Sequence, residues 1–156
     1  MKVLRDELAL ICGDLLRRVG AQRATIRLDA ADLGLSVDLP AAEAVAPGTR
    51  SIAADASLDQ RSLDTVRWLA EHRRVLVQPD FSAPPSPPPA LVEIYGVQAQ
   101  VLAPVLTGSA LTGWVSVHSV EPRRWSGDDV ARAEEAAATT ADRLGAALQR
   151  VRGRCP

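Results

Sequence analysis

Two neighbouring segments of this chain alternate between apolar and polar side chains, a pattern typical of β-strands. They cover residues 95–105 and 111–118, with a turn at Thr107-Gly108-Ser109 between them. One face of the predicted hairpin carries small apolar side chains, those of Ala99, Val101, Ala103, Val115 and Val117. The other face carries amides, an indole, a hydroxyl and an imidazole, from Gln98, Gln100, Trp114, Ser116 and His118. This polar face is either solvated surface or the wall of a ligand pocket.

The size and charge of the chain narrow its possible functions. At 156 residues it is long enough to bury a sizeable core, so we expect one domain over residues 1–156. Its net charge of −1 gives no concentrated basic surface for nucleic acid. The apolar run at 8–12 is too short to span a membrane, and the charged start does not fit a signal peptide. We therefore expect a soluble cytoplasmic protein, with Cys12 as a buried thiol and Cys155 as a tail thiol.

The pattern along the rest of the chain predicts an α+β domain with an antiparallel sheet. Apolar spacings of three and four predict helices at about 3–19 and 127–151, the second capped by Ser126. Alternation predicts a first hairpin from 23–28 and 33–39. The elements predicted after it are a loop at 40–56 with a short strand near 51–53, a helix from a capping box at Ser57 and Gln60 to His72, a strand at 75–77, a proline-rich loop at 79–89 and a short helix at 90–95.

Three ordered blocks, residues 96–105, 111–117 and 122–129, resemble the C-terminal half of a GAF domain. Residues 74–80 resemble the strand and acidic turn before that family's pocket loop, and 24–29 resemble its first strand. The resemblance covers essentially the whole chain, as in a GAF domain that stands alone. It implies a central antiparallel sheet with the N- and C-terminal helices on one face, where they often dimerise. It also implies a small-molecule pocket on the other face, under helices and loops.

In a fold of this kind the polar face of the hairpin turns toward the pocket, because side chains alternate along a strand. Thr25 and Arg27 share a face of the first strand and are expected to join it. Trp68 either lines the pocket or is a partly exposed ring. Tyr95 either contacts a ligand or covers the edge of the core. Phe81 is expected in the proline-rich loop, which the resemblance places over the mouth of the pocket. The predicted ligand-binding residues are Thr25, Arg27, Trp68, Phe81, Tyr95, Gln98, Gln100, Trp114, Ser116 and His118.

Arg27 has three possible roles, because a buried charge costs free energy unless it is paired. It either extends to the surface, pairs with Asp38 across the first hairpin, or anchors an anionic ligand. Arg23 lies nearer the strand edge and is expected to be exposed.

The enzymes and cofactor binders of the GAF family have signatures that this chain lacks. Sulfoxide reductases of this fold use cysteines in the pocket loops, whereas Cys12 lies on a helix and Cys155 at the tail. Phytochrome domains also carry a histidine near the end of the last strand, as His118 does, but their cysteine and acidic loop motif have no counterpart, and neither does the signature of cyclic-nucleotide binders. His72 and His118 lack the spacing of a zinc site. We expect no enzyme activity, no metal and no resident cofactor.

The leading functional hypothesis is a sensory or regulatory GAF module that binds a small polar or anionic organic molecule. It would act through its terminal helices, as a homodimer or on a separate output protein. The alternative is a structural or dimerisation scaffold with a small or vestigial pocket. An enzyme of unknown type is the third hypothesis.

Overall fold

The computed structural model describes residues 1–57 and 60–154. An antiparallel five-stranded sheet in the order β2-β1-β5-β4-β3 forms its centre. The predicted α+β class is confirmed. The elements are α1 (Lys2–Val19), β1 (Arg23–Leu28), β2 (Ala42–Val45), α2 (Asp64–His72), β3 (Leu76–Gln78), α3 (Pro89–Glu93), β4 (Ala99–Thr107), β5 (Ala110–Ser119) and α4 (Gly127–Arg152), with short 3-10 turns at Ala31–Leu33 and Gln60–Ser62.

The hairpin of β4 and β5 has the predicted phase. Val101 pairs with Val117 and Ala103 with Val115, and all four side chains are buried. They belong to one apolar cluster with residues of both terminal helices, so this face of the sheet is covered by α1 and α4. Hydrophobic burial on this side is therefore the main force that holds the helices to the sheet.

The two terminal helices run close to their predicted bounds. α1 buries Leu4, Leu8 and Leu15, and it contacts α4 along the same face of the sheet. The Ser126 hydroxyl accepts from the Asp129 N–H while the Asp129 carboxylate accepts from the Ser126 N–H, which is a complete capping box. None of the described helices is long and apolar enough to cross a bilayer.

The predicted second strand at 33–39 is wrong. Residues 31–33 form a 3-10 turn, Gly34 adopts the left-handed conformation with φ 66°, and only an isolated bridge joins Leu35 to Ala30. Leu33, Leu35 and Val37 are buried while Leu39 is exposed, so the alternation reflects packing and not strand pairing. The partner of β1 is β2 at Ala42–Val45, within the segment that was predicted as loop.

Other elements also differ from the sequence-based predictions. No strand forms at 51–53; instead the Glu43 carboxylate accepts from the Ser51 hydroxyl and the Ile52 N–H. α2 starts at Asp64 after a 3-10 turn, and the predicted capping box includes residues 58 and 59, which lie outside the described residues. β3 begins one residue late, at Leu76. α3 begins at Pro89, where the missing N–H of proline is tolerated, and ends at Glu93, two residues before the predicted end.

Cys12 is fully buried on α1, as predicted. Burial raises the pKa of its thiol to about 12, with a smaller contribution from Glu43. The thiol therefore stays protonated and unreactive at neutral pH. Cys155 lies outside the described residues.

We expect Gly113→Ala to destabilise the protein, because a Cβ at Gly113 would lie 2.0 Å from the Arg27 carbonyl oxygen on β1. The backbones of β1 and β5 would have to separate, at a cost of about 1–3 kcal/mol or more. Chemical denaturation measures this change. Gly145→Ala is the matched control, because a Cβ at Gly145 meets nothing within 4 Å on α4 and should stabilise the helix by about 0.5–1 kcal/mol. Equal stability of the wild type and Gly113→Ala would contradict the close approach.

Candidate functional site

The register of three strands brings the polar side chains of the sheet together. Arg23 on β1 lies opposite His118 on β5, which lies opposite Gln100 on β4. In the next row of the same face Thr25 lies opposite Ser116, and in the third Arg27 lies opposite Trp114. All seven side chains are buried. This face is therefore a covered polar layer and not a solvated surface.

A cavity of about 30 Å³ lies between this layer and the segments that cover it. This volume has room for water, since one molecule needs about 10–15 Å³, and it is too small for an organic molecule. The cavity is lined from the sheet by Thr25, Arg27, Gln100, Leu102, Trp114, Ser116 and His118, and from the cover by Ile52, Gln60, Leu63, Thr65, Val66, Pro88 and Leu91.

Arg27 is a buried cation in this cavity with no carboxylate partner among residues 1–57 and 60–154. Its side chain is 3 % exposed, and its Nη1 donates to the Val37 carbonyl at 2.8 Å. Asp38 instead pairs with Arg61 at 3.1 Å. Burial lowers the pKa of Arg27 to about 10, and the more distant charges of Asp55, Asp38 and Glu43 offset this only in part. Two of the three predicted roles, extension to the surface and pairing with Asp38, are thus wrong.

Arg23 is not exposed, contrary to the prediction, since it is 1 % exposed. β2 pairs with the outer edge of β1, so β1 is an inner strand of the sheet. The Arg23 guanidinium donates to the Arg50 carbonyl and lies 3.2 Å from His118 Nδ1, and its Nε lies 3.6 Å from Glu43 Oε2. The guanidinium also lies over the Tyr95 ring, with 5.4 Å between Arg23 Cζ and the ring centroid. Arg23, unlike Arg27, therefore has a carboxylate partner.

His118 is 4 % exposed at the end of β5. Burial lowers its pKa to about 3, and the positive charges of Arg23 and Arg27 act in the same direction. The imidazole is therefore neutral at physiological pH. It can offer a hydrogen bond to a molecule in the cavity, but it carries no charge.

A chain of amides fixes the orientation of Gln100. Gln78 Nε2 donates to the Pro85 carbonyl at 2.8 Å, and Gln100 Nε2 donates to Gln78 Oε1 at 2.8 Å. Because a carbonyl can only accept, this sequence of donors leaves Gln100 Oε1 as an acceptor at the cavity. The cavity thus combines an acceptor with the donors of Arg27 and His118.

Four of the predicted site residues lie outside the cavity. Gln98 precedes β4 and is exposed. Trp68 is a half-buried ring that stacks on His72 at 4.2 Å, and Phe81 is half-buried in the turn after β3. The Tyr95 hydroxyl donates to Asp55 at 2.5 Å, and this hydrogen bond links the loop that contains Asp55 to the segment after α3. Tyr95 does not line the cavity.

The covering residues were missed by the sequence-based prediction. Gln60 is 5 % exposed in the 3-10 turn, and Thr65 is 2 % exposed on α2. No periodic pattern marks the segment before α2, so its inward face could not be assigned. The apolar residues Leu63 and Val66 do share a stripe with Leu69 on α2, and that spacing was the available signal.

The described residues contain no group of three or more His, Cys, Asp or Glu side chains that could hold a metal ion. The polar layer is made of guanidinium, amide, hydroxyl and imidazole groups. These are hydrogen-bonding groups for an organic molecule.

Comparison with known proteins gives consistent results for the fold. The family model of the GAF domain matches residues 4–148. The blue-light absorbing form of the Thermosynechococcus elongatus PixJ GAF domain superposes with a TM-score of 0.75 at 17% identity, over 98% of this chain and 93% of that one. No curated protein matches the chain.

Two other solved structures are similar at comparable identity. The GAF domain of an Acinetobacter phosphoenolpyruvate-protein phosphotransferase has a TM-score of 0.68 at 14% identity, over 94% of this chain and 84% of that one. The type II free methionine-R-sulfoxide reductase of Thermoplasma acidophilum has a TM-score of 0.66 at 13% identity, over 93% and 94% respectively. At these identities the likeness shows a shared fold and does not transfer a ligand or an activity.

His118 should make stability depend on pH. As pH falls below the unfolded-state pKa of about 6.5, His118 binds a proton in the unfolded chain but not in the native protein. The free energy of unfolding therefore falls by up to about 1.4 kcal/mol per pH unit. This loss continues toward the native pKa of about 3. We expect His118→Asn to remove this part of the pH dependence. Denaturation from about pH 7 to pH 5 measures it, and parallel curves for the two proteins would contradict a buried neutral imidazole.

Proposed function

Because the chain belongs to the GAF domain family, we propose that it is a sensory or regulatory module whose cavity binds a small organic anion. GAF domains bind small molecules or chromophores in sensory proteins, which supports the general class of function. The anionic character of the ligand follows from this chain's own residues. The proposal includes no resident cofactor or metal, and it places the protein in the cytoplasm.

The observation that carries the proposal is the unpaired buried charge of Arg27. Its guanidinium has five N–H donors, and within residues 1–57 and 60–154 one of them is used, by the Val37 carbonyl. Leaving an unpaired charge in a buried site is costly, and an anionic ligand would supply the missing partner. A carboxylate fits the planar guanidinium with two parallel hydrogen bonds.

The small volume of the cavity implies that the cover must move when an organic ligand enters. The polar contacts of the cover include exposed ion pairs of Arg61 and a partly buried hydrogen bond of Tyr95. Arg61 bridges Asp29 at 2.7 Å and Asp38 at 3.1 Å, and Tyr95 donates to Asp55 at 2.5 Å. Exposed ion pairs contribute only about 0–1 kcal/mol each. We propose that an entering ligand displaces the cover, and that its contacts offset the loss of these polar contacts and of the apolar packing of Leu69.

A binding role fits His118 better than a catalytic one. Its Nδ1 contacts a guanidinium and not a carboxylate, and its lowered pKa makes it a poor general base at neutral pH. Cys12 is buried on the far face of the sheet, within the cluster that the terminal helices cover. We therefore propose that the protein is not an enzyme.

The terminal helices are the proposed route of output. Val3 and Leu10 on α1 are 65% and 73% exposed, and Val151 near the end of α4 is 37% exposed. Val3 and Leu10 are seven residues apart and therefore share one face of α1, and apolar side chains grouped on one exposed face favour association with another protein. We propose a homodimer through α1 and α4, which passes the ligand state to a separate output protein.

A second candidate function is a structural or dimerisation scaffold. The cavity of about 30 Å³ favours it, because a vestigial pocket would have the same volume. The two functions differ in whether an acid stabilises the protein, so the next experiment separates them.

We expect a thermal-shift screen to find small organic acids that stabilise the wild type more than their neutral amides do. Arg27→Met should weaken the best acid by about 10- to 100-fold, the value of a charge-assisted hydrogen bond of about 1.5–3 kcal/mol. Titration calorimetry measures this loss. Without ligand, the variant should be as stable as the wild type or more so, because an unpaired buried charge is removed.

Arg67→Met is the matched control, because Arg67 is exposed on α2, pairs with Asp64 at 2.5 Å and does not line the cavity. It should leave acid binding unchanged. If no acid stabilises the wild type, or if Arg27→Met binds the acid as tightly, the anion site is refuted and the scaffold function is favoured.

The dimer is tested by a charge on the exposed face of α1. We expect the wild type to elute as a dimer in size-exclusion chromatography with light scattering, and Leu10→Glu to elute as a monomer. Ile94→Glu is the control, because Ile94 is 49% exposed just after α3, on the cavity side of the sheet. A monomeric wild type, or a dimeric Leu10→Glu, would contradict the proposed interface.

A further inference from the structure

The contact between Arg23 and His118 constrains where the imidazole carries its proton. Arg23 Nη1 lies 3.2 Å from His118 Nδ1, and both side chains are buried. A guanidinium has donors only, so Nδ1 must be the acceptor. A proton on Nδ1 would face an N–H of the guanidinium. The contact therefore excludes both the Nδ1–H tautomer and the imidazolium, and it places the single ring proton on Nε2.

Arg23 is held firmly enough to impose this constraint. Its Nη2 donates to the Arg50 carbonyl, and Glu43 forms an ion pair with its Nε at 3.6 Å. The Nε atom is buried and makes no hydrogen bond, since the Glu43 oxygen is beyond hydrogen-bond distance. The Tyr95 ring also lies against the guanidinium. These contacts leave Nη1 directed at His118.

The charges around His118 favour the neutral ring as well. Arg23 and Arg27 on β1 are both positive, and both oppose protonation of the ring. The nearest carboxylate of β2, Glu43, is engaged by Arg23, and Asp55 of the cover accepts from Tyr95. On β4, the residue opposite His118 is the uncharged Gln100.

We propose that Arg23 is a positioning residue that holds His118 as the neutral Nε2–H tautomer, so that the ring presents one fixed donor to the cavity. This inference rests on the proposed function for the identity of the cavity as a ligand site. His118 Nε2 has no hydrogen-bond partner among the residues that the structure describes. It is therefore available to a molecule that enters.

The consequence is a restriction on the ligand. The group that meets Nε2–H must be an acceptor, such as a carbonyl or carboxylate oxygen. An ammonium group is excluded there, because it would meet the Nε2–H donor and two nearby guanidinium charges. The ligand class is thus a carboxylate-type anion for Arg27 with an oxygen acceptor at the His118 end.

The test is a long-range ¹H–¹⁵N correlation spectrum of the histidine rings in ligand-free protein. The chain has only two histidines, and the signal of the exposed His72 is identified by its loss in His72→Gln. We expect the His118 pattern of an Nε2–H tautomer at about pH 7, and we expect it to persist to about pH 5, well below the reference pKa of about 6.5. An Nδ1–H pattern or an imidazolium in the wild type would overturn the proposal.

The role of Arg23 is tested by the double variant Arg23→Met/Glu43→Gln, which removes the donor and neutralises its partner together. We expect His118 to lose the single tautomer and to bind a proton at higher pH, whereas Glu43→Gln alone should keep the wild-type pattern. An unchanged pattern in the double variant would overturn the assignment to Arg23. The wild-type spectrum decides the tautomer even if the double variant does not fold. Because no ligand is used, these results are independent of anion binding through Arg27.

Discussion

The antiparallel pairing of β1 with β5 is the constraint on which the rest of the structure depends. Its register places Arg23 beside His118, Thr25 beside Ser116 and Arg27 beside Trp114. A slip of one residue in β1 would turn Arg23, Thr25 and Arg27 toward the terminal helices and bring Ile26 to the cavity. The close approach of the Arg27 carbonyl to Gly113 helps to fix this register, because only glycine leaves room there.

The two buried arginines of β1 differ in the partners that their charges have. Arg23 and Arg27 lie on the same face of one strand and are equally inaccessible. Arg23 has a carboxylate partner, a carbonyl and an imidazole, so its cost of burial is offset inside the protein. Among the residues that the structure describes, Arg27 has one carbonyl partner. The contrast supports the proposal that Arg23 supports the site and that Arg27 contacts a ligand.

The sequence predicts the parts of this fold that rest on regular patterns. Alternation in β1, β4 and β5 gave the faces of the central strands, and apolar spacing gave α1 and α4. β2 was missed because the stronger alternation at 33–39 marks buried side chains of an irregular segment, while Ala42–Val45 carries no such pattern. The burial of Arg23 was missed because its position at the start of β1 does not reveal that β2 pairs with it and that its side chain reaches the Arg50 carbonyl.

The candidate site was predicted on the sheet and missed in the cover. Six of the predicted residues line the cavity because strand phase determines their direction, whereas Trp68, Phe81, Tyr95 and Gln98 lie on segments whose direction only tertiary packing sets. The burial of Gln60 was missed for the same reason, because it depends on a 3-10 turn that no periodicity in the sequence reveals.

The central claim is that Arg27 holds an organic anion in the cavity. Native mass spectrometry of freshly purified protein, before and after incubation with a small-molecule extract of the cell, tests it most directly. The account predicts a bound organic acid on the wild type and its absence from Arg27→Met, while Arg67→Met keeps it. A wild type that carries no small molecule after incubation, or one that is retained equally by Arg27→Met, would contradict the account.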